Sequence, residues 1–263
     1  MIELKSVTKK YGKHTIVRDV NCIYENGKVY GLIGYNGSGK TTLLKTIAGI
    51  FRQEEGEILA EGVSTYENEE FRRNSFLMTE ELFFDPQSTP DGMRRIYRGY
   101  YPTWSDELYG RLLHLFGLEG TAQIAGFSKG MQRQTGLLLA LSVMPRYLFL
   151  DETFDGLDIA KRQMLTKILK NYTSRRNALV IVTSHYLNEL EHIADEIGMI
   201  DGDRLIVPDT RGGSLESYFL EKSEVDEDEI ERLFDGEVPG CIVSHFFLTM
   251  IDSCSLADHR QIP

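Results

Sequence analysis

Apolar and polar positions divide the chain into alternating strand-like and helix-like segments. Three short strand patterns occupy residues 1–35, IELKSV, TIVRDVNCIY and KVYGLIG, interrupted at Tyr11-Gly12 and at the turn residues Glu25-Asn26-Gly27. From Lys40 to Ile50 the period lengthens, and Leu43, Leu44, Ile47 and Ala48 share one helical face. GEILAEG at 56–62 returns to a strand pattern. From about residue 88 to 120, MRRIYRGYYPTWSDELYGRLLHLFGL is helical, aromatic and basic-polar with no strand signal of its own, which predicts a helical insertion. AGFSKGMQRQTGLLLALS at 125–142 runs from a small polar loop into a leucine-rich helix. YLFLD (147–151) and LVIVTS (179–184) are continuous apolar runs, as expected of strands covered on both faces of a parallel sheet, with a helix predicted between them around 159–173. GMIDGDRLI (198–206) predicts a hairpin around Asp201-Gly202. Past 224 the chain begins acidic, EVDEDEIERLFDGE, then becomes mixed, and carries no assignable chemistry.

Composition narrows the class. With 263 residues, 41% apolar and 26% charged, the chain suits a soluble globular protein with ample core. A formal net charge of −11 and the lack of a Lys/Arg block argue against a nucleic-acid partner, so any nucleotide must be held by a local site. Cys22, Cys241 and Cys254 lie far apart and form no metal-type pair, which fits a reducing compartment. MIELKSVTKK lacks the apolar core of a signal peptide, and IVSHFFLTMI at 242–251 is too short and polar to span a bilayer. A cytoplasmic location is expected, with a partner supplying the spans for any work at a membrane.

GYNGSGKTT, residues 34–42, carries the strongest chemical signal. It lies between a strand and a helix, the setting of a phosphate-binding loop, where glycines let backbone N–H groups wrap a phosphate. Asn36, Gly37, Ser38, Gly39, Lys40, Thr41 and Thr42 are the candidate nucleotide contacts, with Lys40 reaching the β- and γ-phosphates of a nucleoside triphosphate and the Thr41 hydroxyl on Mg²⁺. The alternative is a glycine-rich turn that only permits tight packing. YLFLDE delivers Asp151 and Glu152 at the end of a buried strand, where ligands sit in open α/β sheets. Asp151 suits Mg²⁺ and Glu152 suits polarising an attacking water, although both acids could merely cap the next turn. LVIVTS delivers His185 to the same edge, placed for a γ-phosphate contact. Ser128, before the leucine-rich helix, reads either as a plain N-cap or, with Gly130, as an anion seat.

The order Tyr11, GYNGSGKTT, SFLMTEE, FSKGMQ, YLFLDE, DGLD and TSH resembles the ATP-binding cassette (ABC) ATPases over nearly all of residues 1–220. The resemblance implies an α/β P-loop NTPase cassette with a parallel-sheet core, an N-terminal antiparallel β subdomain and a helical subdomain inserted at about 85–145, followed by an extension at 221–263. It implies a Mg²⁺-dependent ATPase that sandwiches two ATP molecules in a head-to-tail dimer, either a homodimer or a heterodimer with a second ABC ATPase. In that dimer FSKGMQ is the signature loop, and Ser128 and Gly130 contact the γ-phosphate held by the opposing subunit. Tyr11 matches the adenine-stacking aromatic, Glu152 the catalytic base, Asp158 the loop coupling the two sites, and His185 the switch histidine. Three departures stand out. Lys129 and Met131 replace a glycine and a glutamine of the signature, a form resembling bacterial drug or peptide exporters. Glu80 replaces a glutamine that senses Mg²⁺ and the membrane partner, and its carboxylate can approach the metal directly or through water. Thr153-Phe154 replaces Pro-Thr. The resemblance therefore implies the energising subunit of an exporter, acting on separate membrane-spanning permease subunits, and the aromatics of LFFDPQ and RGYYPTW are either a docking surface for them or core. Soluble relatives working on ribosomes or chromosomes usually carry tandem cassettes or a coiled-coil insertion, and neither is present in this sequence.

Overall fold

The apolar runs of the sequence resolve into two sheets with a helix held between them. The computed structural model describes residues 1–207, which lie within a compact unit, Met1–Arg211. β1 (Ile2–Tyr11) and β2 (His14–Tyr24) form a hairpin whose last pair is Tyr11 with His14. β3 (Val29–Ile33) leads through the 34–39 loop into α1 (Lys40–Ile47). β4 (Glu55–Ala60), β5 (Val63–Ser64), α2 (Glu69–Arg73) and β6 (Ser75–Met78) follow. α3 (Pro90–Tyr100), α4 (Asp106–Phe116), a short 3-10 turn at Ile124–Gly126 and α5 (Lys129–Ser142) separate β6 from β7 (Tyr147–Leu150). The described chain closes with α6 (Ile159–Arg176), β8 (Leu179–Ser184), α7 (Leu187–Glu191), β9 (Glu196–Asp201) and β10 (Arg204–Ile206).

One sheet is antiparallel, in the order β2-β1-β4-β5; the other runs β10-β9-β3-β8-β7-β6 and is parallel except for β10. Its register places Ile33 beside Ser184, Leu150 beside Val182, and Met78 beside Leu150, so four strands end along one edge. Every residue of β3, β7 and β8 is buried, as their unbroken apolar runs require. Leu43, Leu44 and Ile47 of α1 are fully buried in one cluster with Val7, Val17 and Ile58 of the antiparallel sheet and Leu32, Phe149 and Ile181 of the parallel one. α1 is thus fixed from both sides, which sets the position of the loop before it. A further tie joins the sheets: Arg18 N–H donates to Asp203 O at 2.6 Å, and its guanidinium pairs with the Asp203 carboxylate at 2.7 Å.

Several boundaries differ from the sequence reading. The helix predicted to reach Ile50 stops at Ile47, because Gly49 turns left-handed (φ 69°) and the amides of Ile50 and Phe51 return to Lys45 O. A Cβ at Gly49 would lie 2.2 Å from Thr65 O. α6 runs three residues beyond 173, to Arg176, and ends at left-handed Asn177. The antiparallel sheet is not wholly N-terminal, since β4 and β5 join it after α1. β6 has only four residues, too few for a pattern to show, yet it forms the sheet edge. Arg204 pairs with Asp201, so the β9–β10 turn is Gly202-Asp203, one residue later than expected. Of the aromatics after β6, Tyr97, Tyr101 and Trp104 form a ring cluster with Phe76 and Tyr109, whereas Phe83 (94% exposed) and Tyr100 (77%) face solvent. The extension at 221–263, with Cys241, Cys254 and the 242–251 stretch, lies outside the described residues. Among the described residues, no helix is long and apolar enough to cross a membrane.

Candidate active site

The chain leaves β3 at buried Ile33 and must enter α1 at Lys40 after a loop of six residues. Gly37 (φ 80°) and Gly39 (φ 100°) supply the left-handed backbone that this requires. A Cβ on Gly39 would lie 2.4 Å from Cγ2 of Ile16 on β2, so the loop also needs glycine for space. Asn68, Thr89, Ser105, Ser128 and Asp158 cap α2 to α6 with their side chains, but α1 starts at Gly39 with no side-chain cap and no acid in its first turn. Its first amides are therefore available to an anion, and its end carries partial positive charge. Ser38 Oγ in the same loop is buried without a hydrogen-bond partner. Asn36 is exposed at the tip, and Thr41 and Thr42 are half-buried on the first turn of α1.

Lys40 is only 5% exposed, and its Nζ donates to Gly34 O at 2.8 Å and Tyr35 O at 3.2 Å while pairing with Glu152 Oε1 at 3.1 Å. The other oxygen of Glu152, Oε2, lies 3.0 Å from His185 Nδ1. Beside this pair, Asp151 Oδ2 accepts from Thr41 Oγ1 at 2.8 Å and Oδ1 from Thr183 Oγ1 at 2.7 Å. Thr183 Oγ1 also accepts the Glu152 N–H at 3.0 Å. Glu152 has φ 46°, an unfavourable conformation for a residue with a Cβ, and this hydrogen bond helps to hold it. Burying Lys40 and Glu152 together is tolerable only because each keeps further hydrogen bonds. A hydroxyl and a carboxylate are the hard oxygen donors that suit magnesium, and the uncapped helix start, the glycine cradle and the orphaned Ser38 hydroxyl suit a phosphate chain. The residues present therefore fit both groups.

The structure brings Lys40, Thr41, Asp151, Glu152 and His185 together. Glu80 is exposed, and among the described residues its carboxylate makes no hydrogen bond to Thr41 or Asp151. Tyr11 is half exposed at the hairpin end, packed edge-on to Phe51 with Lys9 Nζ 5.3 Å from its ring centre. Ser128 caps α5 by accepting the Met131 N–H at 3.2 Å, and Asp158 caps α6 through the Lys161 N–H at 2.9 Å. Among the described residues, neither Ser128 nor Gly130 makes a hydrogen bond to the 34–42 loop of its own chain. The start of α5 instead abuts the 155–158 loop, where a Cβ on Gly130 would stand 3.0 Å from Gly156 O.

Two residues were not singled out in the sequence. Thr183 could have been found from the period of two in a strand, which puts it on the same side as His185. Asp155 stands with Glu152 and His185, their ligand atoms all within 4.8 Å of one another, and only the fold of the loop brings it there. Behind the site, the Ser184 hydroxyl donates to Glu189 at 2.6 Å and Arg162 pairs with the same carboxylate, yet burial still pushes the Glu189 carboxyl above its usual range.

Several known proteins are similar to this chain. The ABC transporter family model matches residues 17–155. The ABC transporter ATP-binding protein YtrB of Bacillus subtilis (strain 168) is 30% identical over 209 residues, 78% of this chain and 70% of that protein. The lantibiotic transport ATP-binding protein SrtF of Streptococcus pyogenes is 31% identical over 240 residues, 90% and 97% of the two chains. A solved ATP-binding subunit of an ABC transporter superposes with a TM-score of 0.76 at 26% identity, over 84% of this chain and 98% of that one. A dimeric bacterial ABC transporter cassette shares the fold with a TM-score of 0.69 at 22% identity, over 78% and 96%.

Proposed function

The chain belongs to the ABC transporter family and is an ATPase of that type, and from this premise we propose that it powers an exporter by hydrolysing MgATP between two cassettes. The observation that carries the reading is the pair of buried carboxylates: Glu152 spans Lys40 and His185, while Asp151 spans Thr41 and Thr183. Asp151 and Thr41 would hold Mg²⁺, and the loop amides, Ser38 and Lys40 would bind the phosphates. When bound, Mg²⁺ would draw charge from the β- and γ-phosphate oxygens.

Within this chain, Glu152 is the base that takes a proton from the attacking water, oriented through both of its oxygens. His185 turns Nδ1 to Glu152, which leaves Nε2 as the ring atom to face the γ-phosphate. Lys40 stabilises developing negative charge. Tyr11 offers a half-exposed ring for the adenine. Ser128 and Gly130 would close the site of a second cassette, in a homodimer or a heterodimer, and Asp158 would lie where the two sites meet. Permease subunits would supply the membrane spans and hold the protein at the cytoplasmic face. The name of the lantibiotic transport relative supports a peptide-like cargo.

The test uses a tagged Glu152→Gln form of the full chain, which should bind ATP, accumulate as a dimer in sedimentation, and bring a polytopic membrane protein out of detergent-solubilised membranes. A monomer at micromolar concentration with ATP would remove the two-cassette site. Recovery of ribosomes or chromosomal proteins without a membrane partner would replace the exporter reading with the soluble one and leave the ATPase in place.

A further inference from the structure

A stripe of residues three apart on α5 touches both segments that frame the site. Gly130 faces the 155–158 loop, where a Cβ would stand 3.0 Å from Gly156 O. Gly136 faces the exit of β6, where a Cβ would meet Met78 Cε at 3.0 Å and Leu82 Cδ1 at 3.1 Å. Between them Arg133 sends Nη1 to Glu80 O at 2.6 Å and Thr79 O at 3.3 Å. The turn it grips is braced internally by the Thr79 hydroxyl, which donates to Glu81 O at 2.7 Å.

Arg133 is half-buried, and burial holds its pKa below the usual arginine value; the charges of Asp155, Glu80, Asp151 and Glu152, in this order, offset that only in part. An arginine is kept partly out of water only where acceptors and opposite charge repay its desolvation. Here the acceptors are the backbone carbonyls of Thr79 and Glu80, and the opposite charge includes the carboxylates of the site. We propose that Arg133 is a positioning residue for metal-dependent hydrolysis, clamping the Thr79–Glu80 turn from α5 and balancing the charge of Glu80. This role rests on the reading of Asp151 and Thr41 as the metal seat.

The experiment measures steady-state MgATP hydrolysis and ATP affinity in EDTA for the full chain with Arg133→Gln, Arg133→Lys, Glu80→Gln and the Arg133→Gln/Glu80→Gln pair. Arg133→Gln should lower kcat about tenfold while ATP affinity in EDTA stays within about twofold, a split that marks an interaction needed for turnover rather than binding. Arg133→Lys should recover at least about half of the rate, and in the Glu80→Gln background the loss on Arg133→Gln should shrink to about threefold or less. A general packing role would give the same fractional loss in both backgrounds, and that result overturns the proposal, as does an Arg133→Gln rate within about twofold of the parent. If Arg133→Gln does not fold, Glu80→Lys carries the test: a like charge beside Arg133 should lower kcat below that of Glu80→Gln, and equal rates overturn the proposal. Failure of the underlying reading shows separately, as Mg²⁺ dependence unchanged in Thr41→Ala and Asp151→Asn, and it removes this proposal with it.

Discussion

Replacing Thr183 by valine tests whether one hydroxyl organises both carboxylates. Thr183 is completely buried, and its Oγ1 donates to Asp151 Oδ1 at 2.7 Å while accepting the Glu152 N–H at 3.0 Å. Valine keeps the shape and the strand preference but can do neither. Losing a hydrogen bond to a carboxylate costs about 2 kcal/mol, and leaving the buried Glu152 N–H unpaired costs about 2 kcal/mol more. Burying a methyl in place of the hydroxyl returns about 1 kcal/mol. The net of about 3 kcal/mol corresponds to a fall of about 6–12 °C in Tm for a chain of this size. Function should suffer too, because the hydroxyl helps to hold the left-handed backbone of Glu152 and hence the aim of its carboxylate. Calorimetry of the nucleotide-free protein and steady-state hydrolysis should show the lower Tm and a kcat reduced about tenfold or more. Thr183→Ser should stay close to the parent in both. A valine variant that melts within about 2 °C of the parent would refute the stability reasoning, and a kcat within about twofold would refute the orienting role.

Other expectations follow from single contacts. Gly39→Ala places a Cβ 2.4 Å from Ile16 Cγ2 at φ 100°, so it should weaken ATP binding at least about tenfold, measurable by calorimetry; full affinity would show that the loop does not need its left-handed glycine. Lys40→Ala should abolish ATP binding and also lower Tm, because it leaves the buried Glu152 carboxylate with His185 alone as its partner. Burial pushes the Cys22 thiol up from 9.0 to about 11. The folded state thus disfavours the thiolate, so at pH 8 alkylation of the Cys22 peptide, followed by mass spectrometry, should be at least about tenfold slower in the native protein than in urea. Equal rates would contradict its partial burial. Asp158→Ala should cost about 1 kcal/mol in urea unfolding by removing the α6 cap, with no loss of ATP affinity in the single chain.

Much of the site was legible because its chemistry is local. The 34–42 loop needs glycines and a lysine at set spacings within one turn, and the YLFLDE and LVIVTSH runs announce buried strands whose ends must carry their polar residues. Those signals identified Lys40, Thr41, Asp151, Glu152 and His185, which the fold then placed in contact. Elements without a period were harder to read. β6 is too short to alternate visibly, and the end of α1 depends on Gly49 meeting Thr65 across the fold.

The sequence by itself determined the types of chemistry and the strand–helix alternation, because residue type and short-range period are properties of neighbours along the chain. Only the tertiary structure decided which groups share a hydrogen bond. Thr183 reaches Asp151 because β8 lies in register beside β7, and Arg133 reaches Thr79 and Glu80 because α5 packs on the exit of β6. It also made Ser128 and Asp158 helix caps within their own chain. Contacts between segments 30 to 110 residues apart, such as Thr41 with Asp151 and Thr183 with Asp151, depend on sheet order and packing. No local pattern encodes those, because each results from the whole chain burying its apolar surface at once.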